Sequence, residues 1–190
     1  MTAIAVIPAR GGSRRVPGKN IKLFHGKPII LYSVSTALHS GLFNEVYVST
    51  DNLDILRVCE ASSYDVTVIE RDPTLAQDSV GTQEVVRDAL TAVPQTDYVC
   101  CIYATAPLME AEDLRLGFNM LRALRVPYVY TVGPNFQDAG QWYWGTYEAF
   151  RDGVELDHGL QYRLPAERVC DINTPEDWAR AEQLYKDLHV

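Results

Sequence analysis

Short apolar runs alternate with longer segments of helical spacing along most of the chain, and no other feature limits its possible folds as strongly. The apolar runs lie at residues 3–8, 45–50, 66–70, 98–103 and 127–132. Between them, residues 28–39, 53–61, 81–92 and 111–124 carry apolar side chains three and four apart, the period of a half-buried helix. Strands separated by helices pair in parallel and are covered on both faces, so the pattern predicts an α/β chain with a mostly parallel sheet. Ligands of such sheets gather beyond the carboxyl ends of the strands, where the loop after residue 8, Asp51, Arg71 and Thr105 all fall. The last part reads differently. Strands are expected at 141–147 and 168–172, and a final helix opens at Thr174, with Pro175 at its first position and Glu176 and Asp177 in its first turn.

At 190 residues and 47% hydrophobic, residues 1–190 are expected to form one domain with a sizeable core. No apolar run approaches the roughly 20 residues that cross a bilayer, and the first is too short for a signal peptide, so the expected location is the cytoplasm. The formal net charge of −8 excludes a general field attractive to nucleic acid. Cys59, Cys100, Cys101 and Cys170 have no metal or redox spacing and read as small core residues, with Cys100 and Cys101 on opposite faces of one strand.

Against this acidic background, the first strand empties into Ala9-Arg10-Gly11-Gly12-Ser13-Arg14-Arg15-Val16-Pro17-Gly18-Lys19-Asn20, a loop with three glycines and four cations. Glycine lets amide N–H groups approach a ligand closely, and Arg and Lys supply the charge that a polyphosphate needs. The spacing fits neither the dinucleotide fingerprint nor the Walker sequence. The residues alone therefore leave two readings open, a nucleoside triphosphate site and a solvated basic turn. The four histidines are scattered and receive no role.

Several ordered motifs together resemble the acylneuraminate cytidylyltransferases, and most closely their pseudaminic acid branch. They are Ile7-Pro8-Ala9-Arg10-Gly11-Gly12-Ser13 through Asn20, Val48-Ser49-Thr50-Asp51, Arg71 with Leu75-Ala76-Gln77-Asp78, Tyr103-Ala104-Thr105-Ala106-Pro107, Asp138-Ala139-Gly140-Gln141, and Asp171-Ile172-Asn173-Thr174-Pro175-Glu176-Asp177-Trp178. The resemblance implies a three-layer α/β/α Rossmann-like nucleotidyltransferase fold with a mixed sheet. It also implies transfer of CMP from CTP to a nonulosonic acid, with release of pyrophosphate and help from Mg²⁺. On that reading Arg10 and Lys19 hold the triphosphate, and Ser13 and the Gly11 and Gly12 amides cradle it. Arg14 and Arg15 add charge. Asn20, Arg71, Thr82 and the backbone at Ala9 and Ala104 select cytidine, Tyr103, Gln141 and Tyr143 meet the sugar, and Asp171 and Asn173 hold the metal. Tyr103 stands where many sialic acid relatives have glutamine, which agrees with the pseudaminic branch.

Two departures from the family pattern bear on these expectations. Asn173 stands where the sialic acid enzymes carry a second aspartate, which lowers the charge available to Mg²⁺. Residues 133–139 replace a few dozen residues that in relatives form an arm exchanged between subunits. A homodimer is therefore expected only in weakened form, and part of the sugar pocket is missing.

Overall fold

The structure is a computed structural model that describes residues 1–189. Its seven-stranded sheet is built from β1 (Ala3–Pro8), β4 (Glu45–Thr50), β5 (Thr67–Glu70), β6 (Tyr98–Ile102), β7 (Tyr128–Val132), β8 (Asp138–Thr146) and β9 (Leu160–Arg163), in the order β5-β4-β1-β6-β8-β7-β9. β2 (Leu23–Phe24) and β3 (Lys27–Pro28) form a separate antiparallel ribbon. The pairs β1–β4, β1–β6, β4–β5 and β7–β9 are parallel, while β8 runs antiparallel to both β6 and β7. The mixed sheet thus contains a single reversed strand, wedged into its middle.

Alternation along the strands assigns the two faces. Ala3, Ala5 and Ile7 of β1, with Cys100 of β6, pack under α1 (Ile30–Ser40), α2 (Leu53–Glu60) and α4 (Ala111–Leu124). Ile4, Val6, Cys101 and Tyr143 face α3 (Thr82–Ala89) and α5 (Tyr147–Asp152). All four cysteines are buried and free, and Cys100 and Cys101 divide between the faces as their adjacency requires. Gly117 of α4 lets this helix settle on β8, for a Cβ there would stand 2.3 Å from Trp142 Cη2.

The last helix, α6 (Pro175–His189), packs Trp178 and Ala181 on Phe24 and Ile29. Its start is a capping box. Asp177 Oδ2 accepts from the Asn173 and Thr174 amides at 3.0 and 2.8 Å, and the Asp177 amide donates to Thr174 Oγ1 at 3.2 Å. Among the described residues no helix is long and apolar enough to cross a membrane.

Two expectations are corrected, and one strand is new. Residues 168–172 are not a strand, because Pro165 introduces a tight turn at Ala166–Arg168 and the chain then runs extended outside the sheet. The strand lies earlier, at β9, a four-residue edge whose alternation is too short to stand out in the sequence. The expected 141–147 strand begins at Asp138 and gives way at Tyr147 to α5, capped by Thr146 Oγ1, which accepts from the Ala149 amide at 3.1 Å.

Candidate active site

The carboxyl ends of β1, β5 and β6 open onto a cleft of about 530 Å³. The loop after β1 forms one wall. The Ala9 amide donates to Ser49 O at 2.8 Å, prolonging the β1–β4 ladder, and the Gly11 amide donates to Asp51 Oδ1 at 3.0 Å. Asn20 is buried and its Nδ2 donates to Arg10 O at 2.9 Å, so the loop is stitched back onto its own beginning. Gly18, at φ 61°, makes the left-handed turn that leads into Lys19 and Asn20.

Cations converge on this cleft. Arg10 Nη2 pairs with Asp78 Oδ1 at 2.6 Å, and Arg10 Nη1 donates to Ala76 O at 3.2 Å. Arg14 reaches Asp78 Oδ2 at 3.8 Å and is otherwise exposed. Lys19 Nζ donates to Ile172 O at 2.6 Å. Burial holds its ammonium below the usual lysine range, with Arg15 and Arg10 adding to the effect and Asp171 opposing it. Arg71 follows β5, where its amide donates to Thr50 O at 2.8 Å and its side chain is 2% exposed. Arg71 Nη2 lies 3.6 Å from Asp51 Oδ1, and its Nε and Nη2 have no hydrogen-bond partner. A buried guanidinium with idle donors is costly until an acceptor arrives, so the cleft is prepared for an anion or a carbonyl oxygen.

Of the residues named from sequence, Arg10, Ser13, Arg14, Arg15, Lys19, Asn20, Arg71, Thr82, Tyr103, Ala104, Thr105 and Asn173 line this cleft. Gly11 and Gly12 lie in the loop between Arg10 and Ser13, and Ala9 is buried behind it. Asp171 lines a neighbouring cavity of about 360 Å³ together with Asp138, Asn135 and Arg180. Two side-chain pairs bridge the two spaces: Tyr103 Oη donates to Asp138 Oδ2 at 3.1 Å, and Asn173 Nδ2 donates to Asp171 Oδ2 at 2.5 Å. Gly140 adopts φ 65° beside Asp171, where a Cβ would come within 3.0 Å of the carboxylate.

Gln141 and Tyr143 do not reach the cleft. Gln141 is buried and its Nε2 donates to Arg168 O at 2.5 Å, which fastens β8 to the turn after β9. Tyr143 pairs with Cys101 inside the sheet, and its ring stacks on Phe150 at 5.7 Å under α3 and α5. Burial pushes its phenol well above the ordinary value. The reason for both is position: they sit within a central strand, whereas Tyr103 stands one residue beyond the end of β6. Conversely, Asp51, Asp78 and Asp138 make contacts at the site that the sequence reading did not assign, although each closes or opens one of the quoted motifs.

The donor set near Asn173 is compatible with a hard cation but sparse. Asp171 offers a carboxylate, while Asn173 Oδ1 accepts from Arg15 Nη2 at 3.3 Å. Among the described residues no group of three or more His, Cys, Asp or Glu side chains is placed to hold a metal ion. These two oxygens fit Mg²⁺, which keeps waters and takes substrate phosphates as further ligands.

Comparison with known proteins agrees with this geometry. The chain is 33% identical over its whole length to the pseudaminic acid cytidylyltransferase of Campylobacter jejuni subsp. jejuni serotype O:2, of which it covers 98%. That match runs over 229 positions where this chain has 190 residues, so the relative carries residues that this chain lacks. N-acylneuraminate cytidylyltransferase A of Danio rerio is 34% identical over 94% of this chain, which covers 50% of it. Among solved structures, CMP:2-keto-3-deoxy-manno-octonic acid synthetase complexed with CTP shares the fold at a TM-score of 0.80 and 16% identity, over 99% of this chain and 100% of that one. The cytidylyltransferase family model matches residues 4–143, from the first strand and its cationic loop into the reversed strand, and with that match the chain belongs to the cytidylyltransferase family and is a nucleotidyltransferase.

Proposed function

We propose that this cytidylyltransferase transfers CMP from CTP to a nonulosonic acid of the pseudaminic or sialic acid type. The acceptor hydroxyl oxygen attacks the α-phosphorus and gives up its proton to solvent, the bond from that phosphorus to the bridging β-phosphate oxygen breaks, and pyrophosphate leaves with that electron pair. Catalysis of this kind is mostly positioning and charge stabilisation. The observation that carries the reading is the convergence of Arg10, Lys19 and the under-bonded Arg71 on one cleft at the strand ends, in a chain similar throughout to a pseudaminic acid cytidylyltransferase.

Arg10 and Lys19 would neutralise charge on the triphosphate, with Ser13, Arg14 and the Gly11 and Gly12 amides around it. Arg71, Asn20, Thr82 and the backbone at Ala9 and Ala104 would recognise cytidine, since fixed buried donors and acceptors reject a wrong base when left unpaired. Tyr103, at the junction of the two spaces, would face the acceptor. Asp171 and Asn173 would hold Mg²⁺, Asn173 releasing Arg15 to do so. When bound, the ion supplies positive charge beside the phosphates.

The chain is proposed to act as one nucleotidyltransferase unit in the cytoplasm, with no nucleic-acid or membrane partner. Dimerisation would be weak, because 133–137 close in a tight bend, the Gly133 amide donating to Gln137 O at 2.8 Å. A second reading, a CTP-binding homologue with little turnover, is favoured by the amide of Asn173 at the metal position. The deciding experiment measures pyrophosphate release and nucleotide binding for CTP, UTP and ATP with a panel of nonulosonic acids. Release with CTP and one such acid supports the transfer. CTP binding without release with any of them supports the second reading, release with another keto-sugar acid alone moves the acceptor, and no preference for CTP overturns both.

A further inference from the structure

Asp51, one residue past β4, holds two parts of the nucleotide cleft without lining it. Its Oδ1 accepts from the Gly11 amide at 3.0 Å and stands 3.6 Å from Arg71 Nη2. The loop backbone sits directly on this corner, for a Cβ on Gly11 would fall 2.5 Å from the Nδ2 of Asn52. The corner is itself rigid: Asn52 Oδ1 caps α2, accepting from the Asp54 and Ile55 amides at 2.9 and 3.1 Å.

The two partners of Asp51 need it for different reasons. The Gly11 amide is aimed by its hydrogen bond, which sets the path of the backbone between Arg10 and Ser13. The Arg71 guanidinium is 2% exposed, and a buried cation without a facing charge is strongly disfavoured. At 3.6 Å the carboxylate supplies that charge while remaining too distant to occupy the Arg71 donors, which stay free.

We infer that Asp51 is a positioning residue for nucleotide binding: one carboxylate oxygen sets the spacing between the glycine loop and the Arg71 guanidinium, so that both present their donors to the same CTP molecule. The inference rests on the CTP reading above and adds a residue that touches neither the phosphates nor the base.

The test is calorimetric titration of CTP and steady-state kinetics on the wild type, Asp51→Ala and Asp51→Asn, with thermal melting of each. Asp51→Ala removes both interactions and should raise the Kd and KM for CTP at least about tenfold while kcat changes little, the pattern of lost uniform binding. Asp51→Asn keeps an oxygen for Gly11 but loses the charge facing Arg71, so it should restore part of the affinity. A purely structural lesion would instead lower the active fraction, and with it kcat, at unchanged Kd. Asp51→Ala binding CTP within twofold of the wild type overturns the inference. Where Asp51→Ala does not fold, Asp51→Asn binding within twofold overturns it, and weakened binding by folded Asp51→Asn supports it. A wild type that shows no preference for CTP removes the functional reading instead, so the two failures are distinguishable.

Discussion

The Arg10 guanidinium grips the Asp78 carboxylate at 2.6 Å within the cleft that would receive a polyphosphate. Asp78 therefore occupies, with its own negative charge, a cation proposed to hold the nucleotide, and it also lies 3.8 Å from Arg14. Both arginines hold its carboxyl below the usual range, so the pair is charged at neutral pH. On the proposed role of Arg10, CTP would displace this internal anion, and Asp78→Ala is expected to lower the KM for CTP by about threefold, the scale of an exposed ion pair. It should also steepen the dependence of KM on salt, since two uncompensated cations then meet the phosphates. KM measured at two ionic strengths checks this, and an increase in KM would assign Asp78 an aligning role instead.

Lys19 gives a pH dependence whose sign follows from burial. Its ammonium is held below the usual lysine range, and the protonated form is the one that attracts phosphate. CTP affinity is therefore expected to fall as pH rises through this lowered value, earlier than for an ordinary lysine. Lys19→Arg should move the fall to higher pH, and Lys19→Ala should abolish turnover with the circular dichroism spectrum intact. The stability of the ligand-free protein has the opposite slope. Between the lowered and ordinary values the unfolded chain binds the extra proton, so the contribution of this group rises with pH across that window. Calorimetry and urea unfolding over the alkaline range separate the two trends.

Asp171 and Asn173 predict a metal requirement that is weak in affinity. Turnover is expected to stop when EDTA is added and to return with excess Mg²⁺. Asp171→Ala should raise the Mg²⁺ concentration for half-maximal turnover at least about tenfold, while Asn173→Asp, which restores a carboxylate, should lower it. Metal titrations of the three proteins provide the check, and turnover unaffected by EDTA would remove the metal from the mechanism.

Arg168 carries the largest expected stability change. Its guanidinium binds the carboxylate of Asp113, which is 3% exposed, and Nη1 also lies 2.9 Å from Glu110 Oε2. Tyr162 Oη donates to the same Asp113 at 2.8 Å. Arg168→Ala leaves a buried carboxylate without its counter-charge and is expected to cost about 3 kcal/mol in urea unfolding. Arg168→Lys should recover only part of this, because a single ammonium cannot reproduce the forked contact.

The contrast between Tyr103 and Tyr143 marks how much of this was legible in the sequence. The strands before residue 132 are apolar and well separated, and their ends bring Arg10, Arg71 and Tyr103 to one edge as the alternation predicts. Tyr143 is chemically the same residue, yet it is buried because β8, which turns back from β7, also pairs along its other edge with β6, where Cys101 meets Tyr143 from a distant segment that no local pattern records. β9 is likewise held by a register with β7 and by the Arg168–Asp113 pair, whose members are 55 positions apart. The bonds at Asp51 and Asp78 escaped notice for a related reason. Both residues lie in recognised motifs, but their partners Gly11 and Arg10 lie 40 and 68 residues away in sequence and meet them only after the sheet forms.

The reversal of β8 also decides which changes the scaffold can absorb. A parallel strand presents its final residues at the ligand edge, but β8 presents its first, Asp138, so the bend at 133–137 emerges beside Tyr103. The loop that follows β1 lies on the far side of β6 from that junction and takes its anchorage from Ser49 and Asp51, away from the bend. Under the proposed function, shortening the chain there would redraw the boundary of the acceptor space while leaving the nucleotide loop in place.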